Sequence, residues 1–231
     1  MDITPDHLIL LQWGAAHLNA TIVYTWVVML LLVAMARGVT RRLSLDGPRS
    51  RWQNALEAIV SGIRNQVREV SGAEGSDAYL PFIGTLFLFI AVSNELHAVP
   101  GWHAPTGSLS TTAALAICVA LSVPLFGIRK VGFRKYLHHY LSPVFFMLPI
   151  HMISEISRTV ALAVRLFGNI MSGSMVVALL LVIAPLFFPV LIQALDLIIG
   201  LIQAYIFAIL AMVYIAAAIR REDEKEQEEK G

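Results

Sequence analysis

The chain has 231 residues, of which 57% are hydrophobic and 14% are charged. Soluble domains contain about 45–50% apolar and about 25% charged residues, so this composition excludes an ordinary soluble fold. A single cysteine excludes a disulfide framework and a cysteine-based metal site. A net charge of +1 does not indicate nucleic-acid binding. We therefore expect a polytopic, all-α integral membrane protein.

Basic residues are concentrated in a few connecting segments. Of the 17 Lys and Arg residues, 15 lie in 37–78, 129–140 and 220–231, whereas 1–20 and 99–110 contain none. Short loops rich in Lys and Arg stay on the cytoplasmic side of a membrane. We therefore expect the three basic segments on the cytoplasmic side of the membrane, and the N-terminus and the 99–110 loop on the outside.

Apolar runs predict three membrane spans in the first half of the chain, over residues 20–36, 79–99 and 109–128. Each has ordinary spanning length. Residues 52–72 instead place apolar side chains three and four positions apart, opposite polar ones, which is typical of an amphipathic helix at the membrane interface. A helix that packs its apolar side on the rest of the protein has the same pattern, so both interpretations stay open.

A long apolar stretch follows, over about residues 141–219, and it must cross the membrane an even number of times because both ends are cytoplasmic. Pro185 and Pro189 mark a break, because proline ends or kinks helices. Two helices of about 30–40 residues would be about 45–60 Å long, whereas the hydrocarbon slab is about 30 Å thick. We therefore expect a hairpin of two long, strongly inclined helices. Four short spans would need polar turns, which the stretch lacks.

The predicted architecture is one membrane domain with three transmembrane helices, an interfacial helix and a C-terminal hairpin. Residues 1–51 form the first span and a basic loop, and residues 52–72 form the interfacial helix. Residues 79–128 form two spans, residues 141–219 form the inclined hairpin, and residues 220–231 form a charged cytoplasmic tail.

Several ionisable side chains lie inside these apolar stretches, where a charge costs at least about 2.5–3.5 kcal/mol and marks function by default. At about 100° per residue, the first helix of the hairpin carries a polar stripe of His151, Ser154, Arg158, Arg165 and Asn169, with Glu155 and Ser157 beside it. On the second helix, Asp196 and Gln203 share a face, with Gly200 between them. Two facing polar stripes indicate an ion path. Glu95 and His97 lie near the outer end of the second span.

Some of these residues also have a purely structural interpretation. Arg158 lies three positions from Glu155 and could pair with it. His151 could bind a backbone carbonyl, and Asp196 could pair with an arginine across the hairpin. Arg165 has no acidic residue three or four positions away, which disfavours a structural role for it.

Four motifs carry a resemblance to a known family. They are SNELHAVPG at Ser93–Gly101, PTGSLSTTAALA at Pro105–Ala116, VRLFGN at Val164–Asn169 and QAYIFAIL at Gln203–Leu210. In this order and spacing they resemble subunit a of F-type ATP synthases, over about half of the chain. The first span and the amphipathic helix match that family only in layout.

The resemblance implies a stator that faces a rotating ring of c subunits, each with one membrane carboxylate, and that assembles with b-type peripheral stalk subunits. Ions would reach the ring through one half-channel and leave through another. Arg165 matches the essential arginine of the family, and Gln203 matches the glutamine across from it. Asn94, Thr106 and Asn169 match polar positions of the outward half-channel. Asp196 matches a position that the family fills with His or an acid. Ser154 and Ser157 match serines toward the cytoplasmic half-channel.

The sequence departs from the family pattern at several places, among them Thr159, where the family usually has Pro, and Glu95 and His97, one of which is commonly less charged in the family. Ser174 replaces an ionisable Glu or His, so we expect Asp196 to carry the ion relay on that side alone. His151 and Glu155 look exchanged along the polar stripe. Either a proton or a sodium ion fits these changes.

A stand-alone secondary ion transporter is the competing function. Such transporters often contain inverted repeats and paired helix breaks, and this sequence has neither. It also lacks a GxxxxGK[ST] motif, so we expect no ATP chemistry, no catalytic site, no cofactor and no metal on this chain.

Overall fold

A computed structural model describes seven stretches of the chain: residues 9–13, 16–40, 51–71, 78–99, 101–132, 148–184 and 188–228. The basic residues of segments 41–50 and 133–140, and Pro185, lie outside the described residues. The elements are β1 (Ile9–Trp13), β2 (Ala16–Asn19), α1 (Ala20–Thr40), α2 (Arg51–Ser71), α3 (Leu80–Glu95), α4 (Leu109–Val131), α5 (Leu148–Ile183) and α6 (Phe188–Glu228).

Five of the described helices are long and apolar enough to cross a membrane, over residues 20–38, 80–98, 109–129, 152–183 and 188–219. The predicted class, an all-α membrane protein, is confirmed. The short antiparallel pair β1–β2, which no sequence pattern indicated, precedes α1, and its register pairs Ile9 with Asn19 and Trp13 with Ala16.

The C-terminal hairpin consists of two unusually long helices. α5 has 36 residues and α6 has 41, which at 1.5 Å per residue gives about 54 and about 62 Å. The predicted pair of long helices is confirmed, with the break between Ile183 and Phe188, and the alternative of four short spans is wrong. α6 continues nine residues beyond Ile219, because the charged tail up to Glu228 stays helical. The strong inclination of the two helices stays a prediction.

Small residues on α6 let the other helices approach it closely. α6 packs against α3, α4 and α5. Its buried side repeats at helical spacing and contains Gly200, Gln203, Ala204, Phe207, Ala208, Ala211, Met212, Ile215 and Ala216. Apolar burial does not drive helices together inside lipid, where tight packing of small residues and interhelical hydrogen bonds take that role. The backbone of α6 therefore forms the centre of the bundle.

The helices α1 and α2 lie at the edge of the bundle. α1 packs on α3 and on the α3–α4 loop, and Trp26 and Leu30 are exposed. α2 packs on α3 and α6. Its Val67 is only 1% exposed within the core and Ile63 packs against that core, whereas Val60 is exposed. The C-terminal half of this amphipathic helix therefore packs on the protein.

The loop between α3 and α4 folds back into the bundle. It contains two 3₁₀ turns, Leu96–Ala98 and Pro105–Gly107, and Gly101 adopts φ +85°, a conformation that favours glycine. All residues from Ala104 to Ser108 are buried. A Cβ at Gly107 would lie 3.3 Å from Cγ2 of Ile170 on α5. The loop therefore reaches the hairpin and contributes side chains to its interior.

The topology expected from the basic loops can be tested by cysteine labelling after replacement of Cys118, the single cysteine. Val99 is 49% exposed at the α3–α4 loop, and Asn54 is exposed near the start of α2. In a Cys118→Ser background, Val99→Cys should react with a membrane-impermeant maleimide on spheroplasts. Asn54→Cys should react only after permeabilisation, and the opposite pattern would contradict the orientation.

Candidate functional site

Two hydrogen bonds join the α3–α4 loop, α3 and α6 inside the bundle. Oγ1 of Thr106 donates to Oδ1 of Asn94 over 2.8 Å, and Nδ2 of Asn94 donates to the carbonyl oxygen of Gly200 over 2.9 Å. Both side chains are buried, Asn94 at 3% exposure. Hydrogen bonds between membrane helices contribute about 0.6 kcal/mol on average. These two bonds therefore fix the side-chain amide of Asn94 and the local position of α6.

The contact between Asn94 and Gly200 requires a glycine. A Cβ at Gly200 would lie 2.9 Å from Cβ of Asn94. Real Cβ atoms do not approach so closely, so a larger residue would push α3 and α6 apart.

A second glycine accommodates the carboxylate of Asp196. A Cβ at Gly173 on α5 would lie 2.7 Å from Oδ2 of Asp196 and 2.9 Å from both Cγ and Oδ1. The half-buried carboxylate therefore lies directly against the backbone of α5, and no ion pair between Asp196 and an arginine is found within the described residues.

A small cavity lies beside Asn94 and Asp196, with room for on the order of one water molecule. Its lining comes from α3, the α3–α4 loop, α5 and α6, and consists of Asn94, His97, Ala98, Asn169, Ile170, Gly173, Gln193, Asp196 and Leu197. Gln193 donates from Nε2 to the carbonyl oxygen of Ala98 over 3.3 Å. Oγ of Ser174 lies 3.2 Å from Nε2 of His97. We call this space the α3 cavity.

A second cavity lies further toward the N-terminus of α5, with similar room. It is lined by Val119, Ala120, Val123, Glu155, Arg158, Thr159, Leu162 and Tyr214. The guanidinium carbon of Arg158 lies 4.7 Å from the ring centroid of Tyr214, a cation–π contact worth about 0.5–2 kcal/mol. We call this space the α4 cavity.

Arg165 lies on α5 between the two cavities. It follows Leu162 of the α4 cavity by three residues and precedes Asn169 of the α3 cavity by four. Its side chain is exposed, and within the ranges that the structure describes it makes no hydrogen bond, ion pair or ring contact. Arg158 and Arg165 therefore differ in environment, although their directions on the helix differ by only about 20°.

Gln203 occupies the corresponding place on α6. It lies between Leu197 of the α3 cavity and Tyr214 of the α4 cavity. Its side chain is 7% exposed, and Nε2 has no hydrogen-bond partner among the described residues. A buried amide without a partner costs about 1–3 kcal/mol.

The structure thus brings together some of the residues that the sequence singled out. Asn94, Thr106, Asn169 and Asp196 meet at or beside the α3 cavity, and Glu155 and Arg158 meet at the α4 cavity. Ser154 and Ser157 are exposed and line neither cavity. His151 lies on α5, but its side chain is outside the described ones.

Sequence reasoning missed Gln193, Gly173 and Tyr214 as parts of these cavities. One signal was present: Gln193 is a polar residue in an apolar run, three positions before Asp196 and so on the same side of the helix. Nothing in the sequence pointed to Gly173 or Tyr214, because their roles depend on the neighbouring helix. No three His, Cys, Asp or Glu side chains come together as a metal site in the part of the chain that the structure describes.

Comparison with known proteins identifies the family. The profile of the family described as "ATP synthase A chain" matches residues 22–216. The chain belongs to the ATP synthase A chain family. It is 59% identical over 218 residues to ATP synthase subunit a 2 of Acaryochloris marina, covering 94% of this chain and 93% of that protein.

Other relatives are similar over nearly their whole length. ATP synthase subunit a 1 of Crocosphaera subtropica is 56% identical over 225 residues, with 97% of each chain covered. ATP synthase subunit a of Nitrosospira multiformis is 55% identical over 218 residues, covering 94% of this chain and 86% of that protein. The resemblance seen in four motifs therefore extends over the chain, and this is a multi-pass membrane protein of the subunit a family.

The close fit of Asp196 against Gly173 gives a testable expectation. In Gly173→Ala the new methyl group must displace the carboxylate, which can rotate away at little cost in stability. We expect the ATP synthase to assemble normally, with ion-driven ATP synthesis in membrane vesicles reduced several-fold.

Gly84→Ala on α3 is the matched control, because a Cβ there meets nothing within 4 Å. Its rate should stay that of the unmodified enzyme. Equal rates in the two variants would show that the position of the Asp196 carboxylate is unimportant.

Proposed function

We propose that this chain is the stator subunit a of an F-type ATP synthase, and that it forms two ion half-channels against a ring of c subunits. In this role it couples ion flow across the bacterial cell membrane to rotation of the ring, and so to ATP synthesis or hydrolysis at sites on other subunits. Its partners are the c-ring and b-type peripheral stalk subunits, with its N-terminus outside and its C-terminus in the cytoplasm.

The placement of Arg165 between the two cavities is the observation that carries this proposal. Leu162 and Asn169 are seven residues apart, so along α5 the two cavities are separated by about 10 Å. An ion path with two separate halves needs such an interruption, and an exposed cation at the interruption can act on a group that passes outside this chain.

The chemistry of the guanidinium suits this place. A charge inside the membrane costs at least about 2.5–3.5 kcal/mol without a partner, and the described residues provide none for Arg165. An ionised carboxylate on the c-ring would be attracted to it, whereas a carboxylate that has bound its ion and become neutral would not. Arg165 would thus remove the ion from each passing site, and it cannot lose its own charge at any accessible pH.

The α3 cavity is the candidate for the outward half-channel. It lies near the α3–α4 loop, which we expect outside the cell because residues 99–110 contain no Lys or Arg. Asn169 lies one turn from Arg165, so an ion at this cavity is close to the point where the ring carboxylate would be ionised. Asp196, held against Gly173, is its half-buried acid.

The α4 cavity is the candidate for the cytoplasmic half-channel. It contains Glu155 and Arg158, and the hydroxyls of Ser154 and Ser157 are exposed on the same stretch of α5. The surface they occupy continues to Arg165, which would allow an ion to pass between this chain and the ring.

A stand-alone transporter fits these observations less well. Such a protein would enclose the charged side chains that bind its ion between its own helices. The side chain of Arg165 on α5 is instead exposed at the protein surface. The exposed guanidinium favours a function that needs a second protein.

Arginine substitutions test the proposed roles. Arg165→Ala should abolish ion-driven ATP synthesis in vesicles while the complex stays assembled, because nothing else would ionise the ring carboxylate or block a leak between the half-channels. Arg158→Ala removes a cation–π contact worth about 0.5–2 kcal/mol, so it should reduce the rate and keep some coupling. Normal synthesis with Arg165→Ala, or complete loss only with Arg158→Ala, would mean that the roles belong to the other arginine.

A further inference from the structure

The hydrogen bonds of Ser174 determine which nitrogen of His97 carries a hydrogen. Oγ of Ser174 donates to the carbonyl oxygen of Ile170 over 2.8 Å and lies 3.2 Å from Nε2 of His97. A serine has one hydroxyl hydrogen, and this one is given to Ile170. With that hydrogen on Ile170, the hydrogen-bond network assigns Nε2 of His97 as the donor in the second contact.

This arrangement leaves the other nitrogen of the ring as a free base. A neutral imidazole with a hydrogen on Nε2 has a lone pair on Nδ1. Nδ1 of His97 is buried, and it has no hydrogen-bond partner in the described part of the chain. The side chain lines the α3 cavity together with Asp196. An unpartnered acceptor in such a place has a cost, and it is suited to receive a proton.

We propose that Nδ1 of His97 accepts protons in the α3 cavity and passes them to Asp196, so that the coupling ion on this side is a proton. A proton from water outside adds to Nδ1 and gives an imidazolium. The imidazolium then gives one proton to the carboxylate of Asp196, which leaves a neutral imidazole and a neutral carboxyl group. The carboxyl group in turn supplies the ionised ring carboxylate. This inference rests on the proposed function. It gives Asp196 a titratable neighbour, whereas the sequence predicted that Asp196 carries the ion relay on this side alone.

The surroundings of His97 fit a transfer to Asp196. The titratable groups that act on its ring are Asp196 on α6 and His103 in the α3–α4 loop. Glu95 is on the same chain segment but exposed. The polar residues that α5 contributes, Asn169 and Ser174, carry no charge. Asp196 is thus the carboxylate that shares the cavity with the imidazole.

Ser174 is a positioning residue in this scheme, because it acts through His97. Its own hydroxyl stays bound to the backbone of α5, and the oxygen lone pair holds the Nε2–H. The imidazole cannot then rotate without losing this hydrogen bond.

The test uses the complete ATP synthase in proteoliposomes, with ATP synthesis driven by a proton gradient and measured as a function of pH on the outward side. His97→Gln keeps an N–H donor for Ser174 but has no titratable group. We expect a rate lower by at least about tenfold, and loss of the pH dependence that an imidazole gives between about pH 5 and 8.

His103→Gln is the matched control. It removes a neighbouring histidine of the α3–α4 loop that does not line the α3 cavity and whose Nδ1 is also buried without a partner among the described residues. The rate should stay close to that of the unmodified enzyme, and the pH dependence should persist because His97 is unchanged, with at most a shift that reflects the charge interaction between the two rings. A tenfold loss in this variant as well would show that the effect is not specific to His97 and would overturn the inference.

Substitutions of Ser174 give a second measurement that does not depend on the assembly of the His97 variant. Ser174→Ala frees Nε2, so the hydrogen can lie on either nitrogen, and the rate should fall with a changed pH profile. Ser174→Thr keeps the hydroxyl and should restore both. Identical profiles for the alanine and threonine variants would contradict the role of this hydroxyl.

The outcomes separate this inference from the proposed function. If Arg165→Ala abolishes synthesis but His97→Gln keeps the original rate and pH profile, the proton relay is wrong and the stator function stands. Synthesis driven by a sodium gradient at an unchanged rate in His97→Gln would also overturn the relay. Normal synthesis with Arg165→Ala would contradict the proposed function itself.

Discussion

Asn94 crosses the interface between α3 and α6 and donates a hydrogen bond to the carbonyl oxygen of Gly200. The hydrocarbon core of a membrane offers no water to such groups, and here the amide and the hydroxyl of Thr106 satisfy each other and the backbone. Because Gly200 has no side chain, the two helices meet at van der Waals distance. This contact fixes α6 about one turn from both Asp196 and Gln203, so the polar residues of α6 depend on it.

The same use of glycine recurs at Gly173, where the carboxylate of Asp196 occupies the space that a Cβ would fill. Two close approaches, one to α3 and one to α5, therefore hold the same segment of α6. Between the α3 cavity and the α4 cavity, the side chain of Arg165 on α5 is exposed and the side chain of Gln203 on α6 is buried.

The two arginines of α5 show how neighbouring helices decide the role of a side chain. Helical spacing puts Arg158 and Arg165 in nearly the same direction, and the sequence distinguished them by Glu155 near Arg158 and by the VRLFGN motif around Arg165. In the structure Arg158 stacks on the ring of Tyr214 from α6, whereas Arg165 is exposed. The difference arises because an aromatic ring lies within reach of one guanidinium, and no feature of α5 alone predicts that ring.

The sequence by itself determined the membrane class, the five long helices and the break between Ile183 and Phe188, because apolar length and proline act locally. Its motifs also determined the family and gave Arg165, Asn94 and Asp196 as candidates. It left open how α2 packs, and it indicated neither β1 and β2 nor the helical continuation of the tail. Only the tertiary structure decided which polar groups share a cavity, that Gly173 and Gly200 make room for them, and that His97 meets Ser174. These features depend on contacts between residues far apart in the chain, and helical periodicity specifies a direction on each helix but not the atoms it meets.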